Sequence, residues 1–231
     1  MLFSSSDSLP MNYADLARSR RSIRGFLPEP VPQALLEGLL ETAREAPSGA
    51  NLQPGRFWAL QGEVRTRLSD ALCEAVRQQV PPREEYGYFP QPMPMQLRKR
   101  QVAAAQALYR SLGVARGDAA ARQVQFERNY RFFDAPVALV VTLDREFGSG
   151  GFMDLGMCLH GLLMAAHAQG LGACAIGALA SYPEIVRREL GLQDSEVVVC
   201  GVALGWADPL APDNQTQTER EPLAQYFQVL S

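Results

Sequence analysis

Apolar positions recur at helical spacing through much of the chain. Over 33–46, Leu35, Leu36, Leu39, Leu40, Ala43 and Ala46 fall on one stripe, which predicts an amphipathic helix ended by Pro47. A similar pattern runs over 63–79, and further helices are predicted over about 97–112, 118–131 and 182–190. A short helix is expected over 12–19, with Asn12 as its N-cap. Residues 152–169 are apolar nearly all round, so that helix should be buried on most sides. GSGG at 148–151 reads as a turn before it, and Gly170 and Gly172 stop it. Strands are expected at 56–61, at the β-branched run 136–143, at 173–177 and at 196–204. This mixture of helices and a few strands is α+β or α/β, neither all-α nor a sandwich.

Three stretches have no period. SRRSIRGF (19–26) is polar and too short for a helix, and PSGANLQPG (47–55) is a loop dense in turn formers. Residues 80–96 carry Pro81, Pro82, Pro90, Pro92 and Pro94 among Tyr86, Tyr88 and Phe89. Long irregular segments of this kind are functional lids or linkers, and the proline content also suits a polyproline docking ligand. The tail, 206–231, reads as an extended arm.

Length and charge narrow the field. A chain of 231 residues fits one domain, 1–231, with an insertion at about 80–96. The net charge of −3 argues against nucleic-acid binding. No apolar run reaches transmembrane length, and residues 1–10 lack the layout of a signal peptide, so a cytoplasmic protein with no membrane partner is expected. Cys73, Cys158, Cys174 and Cys200 are scattered among apolar neighbours, which suits inert buried thiols. Of the 22 basic residues, Lys99 is the single lysine; the arginine excess is mostly compositional.

Several chemistries find no support. There is no G-x-G-x-x-G between strand and helix, no G-x-x-x-x-G-K-[ST], no H-E-x-x-H and no G-x-S-x-G. His160 and His167 share a helix face, but no further metal-ligating company is evident, and they are read as partly buried or interface histidines with no metal. Two constellations remain. Arg20, Arg21, Ser22 and Arg24 place three guanidiniums and a hydroxyl within five residues, suited to a phosphate or equally to a solvated basic turn. Ser48, Asn51 and Gln53 could read a polar ring edge, or simply end a helix.

Taken together, SRRSIRGF and, about twenty residues later, APSGANLQP resemble the FMN-dependent nitroreductase family. Its pattern is an R-R-S-x-R-x-F start, a P-V-P turn, a leucine-rich helix and A-P-S-x-x-N-x-Q-P. Farther on, DLGMCLHGLLMAAHAQGLGACAIG is similar to its central helix and strand, VALGWADP to a strand end, and TEREPLAQYF to a closing R-x-P-L-x-x-F arm. YGYFPQPMPMQLRKR (86–100) followed by ALYRSLGVARGD (107–118) is similar to the nitrobenzoate-reductase subgroup.

The resemblance implies an α+β fold with a small central sheet flanked by helices, in a homodimer with swapped arms and FMN at the interface. It assigns the phosphate and ring edge to Arg20, Arg21, Ser22 and Arg24, and the phosphate again to Arg220. Pro47, Ser48, Gly49 and Asn51, with Gln53 nearer the pocket, would reach the flavin from the partner subunit. Ala175, Ile176, Gly177 and Ala178 would run beside the ring. No side chain acts as nucleophile; flavin N5 carries the chemistry. NADH or NADPH would reduce it and a nitroaromatic such as nitrobenzoate would reoxidise it, by a ping-pong route ending at the hydroxylamine. Quinone or enone reduction, dehydrogenation, or flavin binding without turnover are the alternatives. Two departures stand out. Thr218 occupies a position that is often basic, and Gly55 replaces a common Trp, which leaves that wall either missing or replaced by Trp58.

Overall fold

Four strands form one antiparallel sheet in the order β1–β2–β4–β3. They are β1 (Arg56–Leu60), β2 (Val137–Asp144), β3 (Leu171–Ile176) and β4 (Glu196–Trp206). The computed structural model describes residues 12–230, so the targeting expectation for 1–10 lies outside the described residues. The helices are α1 (Tyr13–Ser19), α2 (Gln33–Arg44), α3 (Gly62–Arg77), α4 (Met95–Ser111), α5 (Ala119–Glu127), α6 (Ser149–Ala168) and α7 (Pro183–Leu190). The α+β expectation therefore holds. Among the described residues no helix is long and apolar enough to cross a membrane.

Strand periodicity sorts the core onto both faces of the sheet. Along β2, Val137, Leu139, Val141 and Leu143 face α2 and α6, where Leu36, Leu39, Leu155 and Leu162 are buried. Ala138 and Val140 face the other way, toward Leu68 and Leu72 of α3 and Val186 of α7. β2 and β4 lose register between Val141 and Thr142, which leaves Val199 bulged out of the ladder.

Several sequence expectations shift. GSGG is not a free turn: Gly148 caps α6, which starts at Ser149. A Cβ on Gly151 would come within 2.6 Å of the Phe147 Cβ, so glycine there packs the first turn on the preceding loop. The strand expected at 173–177 runs from Leu171 to Ile176, and Gly177 begins a 3-10 turn. The helix expected over 118–131 stops at Glu127 and continues as a kinked 3-10 segment, Arg128–Asp134, with Phe132 and Phe133 at positive φ. Both phenylalanines are buried, and the Phe132 ring sits against Gly201, where a Cβ would approach within 2.8 Å. Finally, α6 is not buried on most sides. Met153 is 66% exposed and Met157 and His160 are exposed, so one apolar face lies open on the chain by itself.

Candidate functional site

The Arg20–Arg24 segment runs as a strap along β3, the edge strand. Ser22 forms a parallel bridge with Ala173, and the Ile23 N–H donates to the Ala173 carbonyl at 3.1 Å. The Ile23 side chain fills the space over Gly172, where a Cβ would approach within 2.6 Å. Ile23 therefore packs inward while its neighbours stay available.

The strap is clamped behind. Asn214 Oδ1 accepts from the Arg24 and Gly25 N–H groups at 2.8 and 3.0 Å, and its amide donates to the Gly25 carbonyl at 2.8 Å. Arg128 pairs with Asp213 at 2.7 Å and donates to the Arg24 carbonyl. A Cβ on Gly25 would collide with that of Ala211, so the close approach requires glycine.

In front of the clamp lies a cavity of about 360 Å³ lined by Arg20, Arg21, Ser22 and Arg24 with Thr216, Gln217, Thr218 and Arg220. Residues about 200 positions apart in sequence thus meet at one place, as the motifs suggested. Arg18, which also borders the cavity, pairs with Asp15 at 2.7 Å, whereas among the described residues Arg20, Arg21, Arg24 and Arg220 pair with no carboxylate. Arg21 and Arg24 bond only to nearby backbone carbonyls, and Arg220 bonds to the Thr218 hydroxyl at 2.9 Å and to local carbonyls. Burial, then the like charges of Arg220 and Arg21, holds Arg20 below the usual arginine value. Thr218 adds no charge but orients Arg220. Burial, then the charges of Arg20 and Arg21, depresses His167, whose Nε2 meets Ser19 Oγ at 2.7 Å; His160 meets the Tyr13 hydroxyl at 3.1 Å. The two histidines dock α1 on α6 just upstream of the strap.

The 47–53 loop lines a different cavity, about 240 Å³, with Leu40, Arg44, Phe57, Asp154 and Cys158. No residue borders both cavities, so within one chain the loop and the arginines stand apart. Ala50, Asn51 and Gln53 all have positive φ. The turn is held by the Gln53 N–H donating to Ser48 Oγ and the Gly49 N–H donating to buried Asp154, both at 2.9 Å. Gln53 lines the cavity beside Pro47 and Ser48; Asn51 is exposed. Trp58 is not a wall of this site. It faces the opposite side of the sheet and donates to Thr142 Oγ1 at 3.0 Å, while Phe57 borders the cavity. Gly55 cannot be the usual large residue, because its φ is +97° and the Leu155 side chain fills the Cβ position. Cys158, expected to be buried, is half-exposed at this cavity, whereas Cys73, Cys174 and Cys200 are buried.

Ala175 is exposed at the end of β3, and Gly177 and Ala178 are half-buried in the turn that follows. The irregular segment reaches this turn, and the Tyr88 ring lies where a Gly177 Cβ would approach within 3.0 Å.

The model of the nitroreductase family matches residues 17–206, spanning the strap, the loop and the sheet. The chain belongs to the nitroreductase family. A nitrobenzene nitroreductase of Ectopseudomonas oleovorans is 38% identical over 92% of this chain and 94% of its own length. A 4-nitrobenzoate reductase of Pseudomonas putida is 32% identical over 90% of this chain and 91% of its own. The crystal structure of the FMN- and NADPH-dependent nitroreductase NfnB from Sphigopyxis sp. strain HMH superposes with a TM-score of 0.92 at 35% identity, covering 96% of this chain and 100% of that one. Within the nitroreductase fold, sequence reasoning missed Asp154, Asn214, Arg128 and the polar wall at Thr216 and Gln217. Asp154 opens the central-helix motif and Thr216 and Gln217 precede the closing arm, but the motifs give none of these residues a role, and Arg128 and Asn214 lie outside them.

Proposed function

We propose that this chain is an FMN-dependent oxidoreductase that carries reducing equivalents from NAD(P)H to a nitroaromatic by a ping-pong route, yielding the hydroxylamine. The observation that carries the reading is the cleft in which Arg20, Arg21, Arg24 and Arg220 converge without a carboxylate among them. Uncompensated like charge is costly, and a dianionic phosphate offsets it with paired N–H contacts. When bound, FMN would supply two-electron exchange between nicotinamide and nitro group; the hydroxylamine lies four electrons below the nitro compound, so two NAD(P)H are consumed, with the nitroso compound between. Arg20, Arg21, Ser22, Arg24 and Arg220 hold its phosphate end. Ala175 to Ala178 lie along its ring, and Tyr88 and Phe89 cover that stretch. Pro47, Ser48, Gly49, Asn51 and Gln53 approach from the other subunit of a homodimer. The separation of the two cavities within one chain and the open Met153–Met157 face of α6 support that assignment. One domain over 1–231 and a cytoplasmic setting complete the proposal, the latter in keeping with four unpaired cysteines.

The test is colour. Purified protein should take up FMN, absorb at about 450 nm, bleach anaerobically with NADPH or NADH and regain colour with a nitroaromatic. Bleaching without reoxidation would overturn the substrate class. FMN uptake without bleaching would leave a binding protein, and no uptake would overturn the site.

A further inference from the structure

We propose that Glu85 and Tyr86 are positioning residues: they lock the irregular segment to the β-bulge at Val199 and thereby hold Tyr88 and Phe89 over Gly177. The inference rests on the reading of Tyr88 and Phe89 as a cover for the flavin-binding stretch.

A bulge leaves one residue outside the ladder, and its backbone groups need other partners. Here the Tyr86 hydroxyl donates to the Val199 carbonyl at 2.6 Å. Burial raises the phenol's pKa, so it remains a donor at every working pH. The adjacent Val198 N–H points to Glu85 Oε2 at 3.4 Å. Glu85 Oε1 meanwhile accepts from Arg145 at 2.6 Å and from Arg187. Both Glu85 and Arg187 are 13% exposed, which makes this a partly desolvated pair rather than a surface one. The Tyr86 ring packs on Phe152 of α6 with centroids 4.9 Å apart.

Beyond Tyr86 the segment loses such ties. Among the described residues, no hydrogen bond joins 87–93 to another element. Tyr88 and Phe89 contact each other edge-on at 4.7 Å, and the Tyr88 ring reaches Gly177. Their placement is therefore set from Tyr86 on one side and from the start of α4 on the other. An anchor on a sheet irregularity is stiff, and stiffness there fixes how much room the cover leaves for a substrate ring.

Tyr86→Phe keeps the ring on Phe152 and removes only the bond to Val199, while Glu85→Gln removes the charge that joins Arg145 and Arg187. Each should raise the KM for nitrobenzene by about 5–20-fold, with kcat and the Kd for FMN within about twofold. Chymotryptic cleavage after Tyr88 should accelerate by a similar factor in the protein stripped of FMN. Unchanged cleavage overturns the anchor, whatever becomes of the flavin reading. Tyr88→Ala separates the two ideas. If it leaves KM at the wild-type value, the cover reading falls. If it raises KM while Tyr86→Phe and Glu85→Gln do not, the anchor falls and the cover stands. In a Tyr88→Ala background, Tyr86→Phe should add no further rise in KM; an equal rise there means that Tyr86 does not act through Tyr88.

Discussion

The buried carboxylate of Asp154, on α6, accepts the backbone N–H of Gly49 at 2.9 Å and so ties the 47–53 loop to the central helix. The loop's positive-φ residues need such support, since left-handed backbone is unfavourable for Ala50 and Gln53, while Asn51 tolerates it. Asp154→Ala should lower stability by about 1.5–3 kcal/mol, as expected for losing a hydrogen bond to a buried charge. Asp154→Asn, which keeps an acceptor, should retain most of it. Urea denaturation checks the pair, and wild-type stability in Asp154→Ala would show that the loop holds itself.

Arg20 and Arg220 meet in one cleft although one stands on the strap and the other on the arm. If both contact phosphate, Arg20→Ala or Arg220→Ala should weaken FMN by about 10–100-fold, at 1.5–3 kcal/mol per charged contact. Riboflavin, which has no phosphate, should lose far less. Flavin fluorescence titration of the stripped protein gives both constants, and equal losses would remove these arginines from the phosphate site. Arg220→Lys should fall between, because an ammonium keeps the charge without the paired donors.

What could be read in the sequence and what could not divide along a physical line. Strand and helix periods placed all four strands and the helices to within a few residues, because burial on one face writes a local pattern. Arg20 to Arg24 and Ser48 to Gln53 were visible because their chemistry is concentrated within a few residues. Asn214 was not: it accepts from the backbone N–H groups of Arg24 and Gly25, 190 and 189 positions away, which no pattern marks. Asp154 opens the motif of the central helix, where nothing in the sequence marks its carboxylate as the partner of the Gly49 N–H. The same helix looked buried all round because composition cannot tell a core face from one left open on the isolated chain. Of the two readings of the wall, the one that used Trp58 fails because a one-residue difference in a strand reverses the face, and Phe57 borders the cavity instead.

The Glu85 cluster gives a pH signature. Burial alone would raise this carboxyl, but hydrogen bonds from Arg145 and Arg187 outweigh it and hold it below its ordinary 4.5. A carboxylate lowered on folding contributes stability above its unfolded value and loses it as pH falls through the folded one. The Tm difference between wild type and Glu85→Gln should therefore be constant above about pH 5 and shrink progressively below 4.5. Thermal scans across that range check it; a gap independent of pH would mean that the charge of Glu85 is not what stabilises the segment.

The start of α4 offers a test of substrate choice. Of its three consecutive cations, Arg100 pairs with Glu221 at 2.6 Å, which ties α4 to the arm beside Arg220. Arg98 and Lys99 are exposed and, among the described residues, have no carboxylate partner. They stand four and five residues past Pro94, where the segment whose Tyr88 lies over Gly177 gives way to α4. Interactions between exposed charges are worth about 0.2–1 kcal/mol, which limits the preference to about 1.5–5-fold. 4-Nitrobenzoate should thus be reduced faster than a neutral nitroaromatic of equal reduction potential, by that factor at low salt. The advantage should fade at high ionic strength as the charges are screened, and it should disappear in Arg98→Gln/Lys99→Gln. Equal kcat/KM for the two compounds in the unmodified protein at low salt would exclude a carboxylate contact at this helix.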